Sequence, residues 1–183
     1  MSKPQLPELV LVTGAPGSGK TVLAKQLAEK MRFKYVDSDA VLEDFRHASK
    51  PEDNYDREKI GIPKFFKLIE TALVSGENVV TDPVGHKGRD ESDFARLAKA
   101  SKVVIVHCRA DNVHERFYKR ELGPDGKEPD WLGPHMKDLE KNHLLDVDPL
   151  EVSIPVVEVD TNDGYKPDLD ELVSTITKYK TES

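Results

Sequence analysis

Between Leu11 and Leu27 the chain reads LVTGAPGSGKTVLAKQL. Gly14, Gly19, Lys20 and Thr21 match G-x-x-x-x-G-K-[ST] with no mismatch. The spacing has a mechanism. Glycines let successive backbone N–H groups turn inward around an anion, and Ala15, Pro16, Gly17 and Ser18 complete the loop. The lysine reaches outer phosphate groups, the Thr21 hydroxyl ligates Mg²⁺, and the helix opening at Val22 adds its positive end. The alternative is a glycine-rich turn without a ligand. Against it, the motif stands between a strand-like apolar run and a helical pattern, as phosphate binding requires. A dinucleotide fingerprint is excluded, because the spacing is G-A-P-G-S-G and not G-x-G-x-x-G.

Phosphate binding is shared by switches, motors and phosphotransferases. A guanine-nucleotide switch needs D-x-x-G and Asn-Lys-x-Asp; Asp82 to Gly85 supplies the first, but the second occurs nowhere. A motor places an acid after its Walker-B aspartate, and here Pro83 follows Asp82. A phosphotransferase needs an acid near the acceptor hydroxyl, cations on the moving phosphoryl group and a lid against water. Asp37 and Asp39 stand two residues apart after a predicted strand, where extended backbone points both the same way. One can hold the Mg²⁺ shell, and the other can accept a hydroxyl proton. Asp39 could instead only cap the next helix. Arg116 and Arg120, at i and i+4, share a helix face suited to clamping phosphates. Salt bridges to Glu115 and Glu121 are the plainer reading of that pair. A turn-rich run from Gly123 to Pro134 is long for a connection and reads as a lid, within bounds of about 122–137. Its Trp131 either stacks on a ligand or, preferably, anchors the closed loop. His86, Lys87 and Arg89 form a small basic patch after Asp82, either an acceptor contact or a solvated loop. The histidines show no metal-ligand spacing with Cys108.

The elements that position these residues follow from periodicity. Short apolar runs predict strands at Glu8 to Thr13, FKYVD, NVVTD, KVVIVHC and PVVEVD. Helical spacing predicts helices through Leu23, Leu27 and Met31, over Asp39 to His47, and through Phe65, Ile69 and Leu73 with Pro63 in the first turn. Further helices are expected at DESDFARLAKA, at DNVHERFYKREL with Asp111 as cap, over His135 to Leu144, and at DLDELVSTITKYK. Strand–helix alternation throughout predicts an α/β fold: one parallel sheet, helices on both faces, and ligands at the carboxyl ends of the strands. At 183 residues the chain fits a single domain spanning 1–183. The formal net charge of −7 offers a polyanion no general attraction, so nucleic acid is disfavoured as a partner. A lone cysteine and the absence of a long apolar run predict a cytoplasmic protein without a membrane span.

Taken in order, GAPGSGKT, DSD, NVVTD and ERFYKRE before the lid resemble the P-loop small-kinase group. That group includes nucleoside monophosphate, shikimate and gluconate kinases, zeta-toxin-type kinases and polynucleotide 5′-kinases. The resemblance covers nearly the whole chain and implies strand order 2-3-1-4-5. It implies Asp39 as base, Asp82 and Arg89 on the acceptor side, and Arg116 as the lid arginine. VDTNDGYKPDLDEL resembles the adenine-covering loop, which puts Thr161 and Asn162 near the base. The Gly-Gly pair of shikimate kinases is replaced by Asp82-Pro83, and no base-reading segment of nucleoside monophosphate kinases is present. The expectation is an ATP- and Mg²⁺-dependent phosphotransferase acting on a small-molecule hydroxyl, with Asp39 as the preferred base, Thr21 on Mg²⁺ and Asp37 in the metal's outer shell. A polynucleotide 5′-hydroxyl acceptor and a non-catalytic nucleotide-binding module are the alternatives.

Overall fold

The computed structural model of the protein describes residues 6–42, 60–141, 147, 150 and 152–181. Five parallel strands form one sheet: β1 (Glu8–Thr13), β2 (Lys34–Val36), β3 (Val79–Thr81), β4 (Lys102–Arg109) and β5 (Val156–Asp160). Their order is β2-β3-β1-β4-β5, the order the resemblance implied. β1 lies at the centre, pairing Leu9 with Val79 on one side and with Val103 on the other. Only a strand covered on both faces tolerates five consecutive buried residues, and Leu9 to Thr13 are all buried.

Alternation splits the sheet's side chains between two cores. Leu9, Leu11, Val79 and Ile105 pack with Phe65, Phe66 and Ile69 of α3 (Ile62–Val74) and Phe94 of α4 (Glu91–Ala98). Val10, Val12, Val80 and Val104 pack with Leu23 and Leu27 of α1 (Lys20–Met31), and with Leu172 and Ile176 of α7 (Leu169–Thr181). The predicted inner faces of α1 and α3 are the buried ones, and Pro63 does sit in the first turn of α3. A third, smaller cluster joins Phe117 of α5 (Val113–Glu121) to Leu132 and Leu139 of α6 (Leu132–Lys141).

Several expectations need correcting. The helix after β2 is one short turn, α2 (Ser38–Val41), closed at Leu42, and the predicted span beyond Leu42 falls outside the described residues. So does the whole of the polar run HASKPEDNYD. α6 starts at Leu132, three residues before the predicted start, because Leu132 buries fully against α5 and draws the chain into helix early. The turn-rich segment is therefore shorter, running from Leu122 to Trp131. Asp111 does not cap α5. Asn112 precedes the helix without a side-chain cap bond, while the Asp111 N–H donates to Asn162 Oδ1 at 3.0 Å.

Candidate active site

The glycine loop between β1 and α1 is built around close approach. Gly14 has φ 139°, and a Cβ there would meet the Cys108 carbonyl oxygen at 2.6 Å. Gly17 has φ 88°, and a Cβ there would collide with the Val113 carbonyl oxygen. Neither position admits a side chain. The turn is closed by Ser18 N–H donating to Ala15 O and by Gly14 N–H donating to Val84 O. α1 begins at Lys20 with no side-chain cap bond and no acid in its first turn. Its leading N–H groups are thus available to an anion. Val22, on the first turn, is exposed, and Thr21 is half-buried.

Lys20 lies at the centre of the charged groups. Burial lowers its ammonium pKa; Asp39 and Asp82 pull it back up, while Arg120 adds to the fall. All three charges are therefore within electrostatic reach of Lys20. Asp82 is 1% exposed. Its Oδ1 accepts from Ser38 N–H at 3.2 Å, and its backbone carbonyl accepts from the Ser38 hydroxyl at 3.0 Å. Its Oδ2 is buried without a partner. An orphaned carboxylate oxygen beside a phosphate loop is suited to a metal-bound water, so the residues present fit Mg²⁺. Among the described residues no three His, Cys, Asp or Glu side chains converge as a metal-binding group. Mg²⁺ in phosphate sites is commonly held by one or two side chains together with the phosphates.

The aspartate pair departs from expectation. Asp37, not Asp39, is the helix cap: its Oδ1 accepts from Asp39 N–H at 3.0 Å and Ala40 N–H at 3.1 Å. The two do not sit on one extended strand, because α2 starts at Ser38. Asp37 Oδ2 lies 3.8 Å from Lys25 Nζ. Asp39 is left exposed on the first turn of α2, on the wall of a recess shared with Ser38, Leu42, Phe66, His86 and Arg89.

Arg89 is organised by a neighbour that sequence reasoning missed. Asp90, 2% exposed, accepts from Arg89 Nε at 2.6 Å and Nη2 at 2.9 Å, and from His86 N–H at 2.8 Å. One buried carboxylate thus folds the basic patch back on itself and presents Arg89 to the recess. Adjacent residues seldom meet through their side chains, so no periodicity rule pointed to this pair.

Arg116 and Arg120 have parted company. Arg116 donates from Nη1 to Thr161 O and from Nη2 to Asn162 O, both at 3.0 Å. It grips the loop after β5. Arg120 pairs with Glu121 at 2.8 Å and stacks over Phe117 at 5.0 Å; Glu115 pairs with Lys119 instead. The Thr161 hydroxyl lies 2.7 Å from Ser18 O and 3.0 Å from Arg109 O. Asn162 exchanges bonds with Asp111. The loop after β5 is thereby tied to both the phosphate loop and α5. Trp131 is 44% exposed and meets His135 edge-on at 5.9 Å.

A glycine loop opening a helix at the central strand of this sheet, with acids at the ends of β2 and β3, defines a class: a P-loop kinase. The chain belongs to a family of AAA domains, whose model matches residues 9–128. It is similar to a "Putative adenylate kinase" of Methanocaldococcus jannaschii, 25% identical over 176 residues, 94% of this chain and 88% of that protein. It is also similar to a shikimate kinase of a Sulfurihydrogenibium species, 27% identical over 124 residues, 66% of this chain and 72% of that protein. Among solved structures, a "putative kinase" of Chloroflexus aurantiacus shares the fold with a TM-score of 0.71 and 23% identity, over 97% of this chain and 98% of that one.

Proposed function

We propose that the protein transfers the γ-phosphoryl group of ATP, with Mg²⁺, to a hydroxyl of a small molecule. The observation that carries this reading is Asp39. It stands exposed on the recess wall, within electrostatic reach of Lys20. A hydroxyl must lose its proton as it attacks, and a carboxylate on the acceptor side accepts it. A phosphate acceptor, as an adenylate kinase would use, is already an anion. It needs no base, and a carboxylate there repels it.

The roles follow from position. The loop amides and Lys20 hold the phosphate oxygens. The acceptor lies in the recess, its apolar face toward Phe66 and Leu42 and its polar edge toward Arg89 and His86. Asp39 accepts the hydroxyl proton while the acceptor oxygen bonds to the γ-phosphorus. The bond from that phosphorus to the β–γ bridging oxygen breaks, and ADP leaves. Arg120 offsets charge on the moving group, and Arg116 with Thr161 and Asn162 shapes the base end. Bound Mg²⁺ supplies positive charge to the phosphates; Thr21 and Asp82 would hold it or its water shell. Asp37 contributes less directly, since one of its oxygens already accepts two N–H bonds.

The test is Asp39→Asn, assayed with a panel of hydroxyl compounds alongside AMP as phosphate acceptor. Turnover on the best hydroxyl acceptor should fall by roughly 10²–10⁴-fold, with affinity for an ATP analogue nearly intact. AMP turning over faster than every alcohol in the wild type, or loss of nucleotide affinity with normal turnover at saturation, would overturn the assignment of Asp39 as base.

A further inference from the structure

Among the described residues three buried side-chain polar atoms lack a partner: Ser18 Oγ in the phosphate loop, and two others that lie on neighbouring strands or their ends. Of those two, one is Asp82 Oδ2 and the other is the Tyr35 hydroxyl. Tyr35 is the middle residue of β2, paired in register with Val80, two residues before Asp82. Both side chains point to the α1 side of the sheet, where Tyr35 packs with the core of Val10, Val80 and Leu27. The ring is held on its outer side by Lys25, whose Nζ lies 5.6 Å from the centroid.

Tyrosine brings a hydroxyl into a core only where something can receive it, since a buried hydroxyl without a bond costs more than a phenyl ring in its place. The same holds for a buried carboxylate oxygen. The pair lies within interaction range: the Asp82 charge, after burial itself, is the largest influence raising the Tyr35 pKa. A hydrogen bond from the phenol to the Asp82 carboxylate is a further influence in the same direction, although neither Oδ2 nor the hydroxyl meets strict hydrogen-bond geometry. No other partner has to be displaced from either atom for the bond to form.

We propose that Tyr35 is a positioning residue for Asp82, donating its hydroxyl proton to Oδ2 and fixing the carboxylate with Oδ1 on Ser38 N–H. The consequence reaches past Asp82. Ser38 opens α2, which carries Asp39, and its backbone and hydroxyl are both tied to Asp82. One phenol thereby sets the orientation of a candidate metal-shell carboxylate and the seat of the candidate base. A carboxylate oxygen has capacity for a second bond, so a metal-bound water is still accommodated on Oδ2. The inference rests on the phosphotransferase reading above, but its first measurement does not need catalysis.

The experiment is a double-mutant cycle of Tyr35→Phe and Asp82→Asn. Phenylalanine keeps the ring, its packing and the Lys25 contact, and removes only the hydroxyl. The first readout is thermal melting of the nucleotide-free protein. Tyr35→Phe should lower the midpoint by about 2–4 °C when Asp82 is present and should lower it far less in the Asp82→Asn background. The second is the Mg²⁺ dependence of ATP-analogue binding by calorimetry. Half-saturating Mg²⁺ should rise several-fold in Tyr35→Phe, while the Mg²⁺-free affinity of the nucleotide stays the same. Equal melting shifts in both backgrounds, or an unchanged Mg²⁺ dependence, would remove Tyr35 from this role. Lys20→Ala serves as the control. If it abolishes nucleotide binding while Tyr35→Phe does nothing, this inference fails and the kinase reading stands.

Discussion

At the residue scale, Lys20 and Cys108 show how burial sets chemistry. A lysine whose folded pKa lies below its usual 10.5 binds fewer protons folded than unfolded. Its contribution to stability therefore rises with pH between the folded and the unfolded value, and near neutrality the ammonium is a net cost. Lys20→Ala should consequently melt no lower than wild type without nucleotide, yet lose the melting shift that ATP with Mg²⁺ produces and all measurable transfer. A clear fall in the nucleotide-free midpoint would make Lys20 a structural residue. Cys108 lies under the loop, 2% exposed. Burial pushes its thiol up to about 12, with Lys20 pulling weakly the other way. A smaller thiolate fraction and a buried sulfur both slow its reaction. Labelling of the native protein with an aromatic disulfide should therefore be very slow and become rapid on unfolding. Fast native labelling would show that the phosphate loop opens.

At the element scale, the loop after β5 is held by α5 through Arg116. Two guanidinium bonds to the Thr161 and Asn162 carbonyls hold one wall of the expected base site, and bonds to charged donors are the stronger kind. Arg116→Ala should weaken ATP-analogue binding by about tenfold, the effect of losing one such bond, while turnover at saturating ATP changes little. Calorimetry with steady-state kinetics separates this from the phosphate role expected from spacing, which predicts the reverse: intact affinity and collapsed turnover. The Thr161 hydroxyl adds a second tie, to Ser18 O, so base loop and phosphate loop are joined directly.

At the scale of the whole molecule, closure is the question. The helix pair α5–α6 is a separate small cluster of Phe117, Leu132 and Leu139 with the turn-rich segment at its apex, so it can tilt without breaking either sheet core. Trp131, the protein's one tryptophan, sits where α6 starts and is half-exposed. We expect its emission to change modestly with an ATP analogue and more when acceptor is added, with proteolysis between Leu122 and Trp131 slowed in parallel. A segment cleaved equally with every ligand set would be a connection and not a lid, and would favour the non-catalytic module. Among the described residues no helix is long and apolar enough to cross a membrane.

The amino-acid sequence by itself determined the phosphate loop, the strand–helix alternation and the inner faces of α1 and α3. These are local in origin: a glycine spacing, a run of apolar residues, a 3.6-residue repeat. The sheet order was legible only through resemblance, because periodicity says nothing about which strands are neighbours. Tertiary structure decided the rest of the site. Asp37 takes the cap that Asp39 was expected to compete for, because β2 ends one residue sooner than an extended reading requires. Arg116 and Arg120 share a face in sequence, yet one meets the carbonyls of a loop 45 residues away and the other turns to Glu121 and Phe117. Asp90 binds Arg89 because both sit in a tight turn that no pattern foretells. Tyr35 faces Asp82 only because β2 and β3 pair in parallel register. Hydrogen bonds and buried charges are satisfied by whatever the fold brings near, so their partners belong to three-dimensional packing, while helix, strand and loop chemistry are written along the chain.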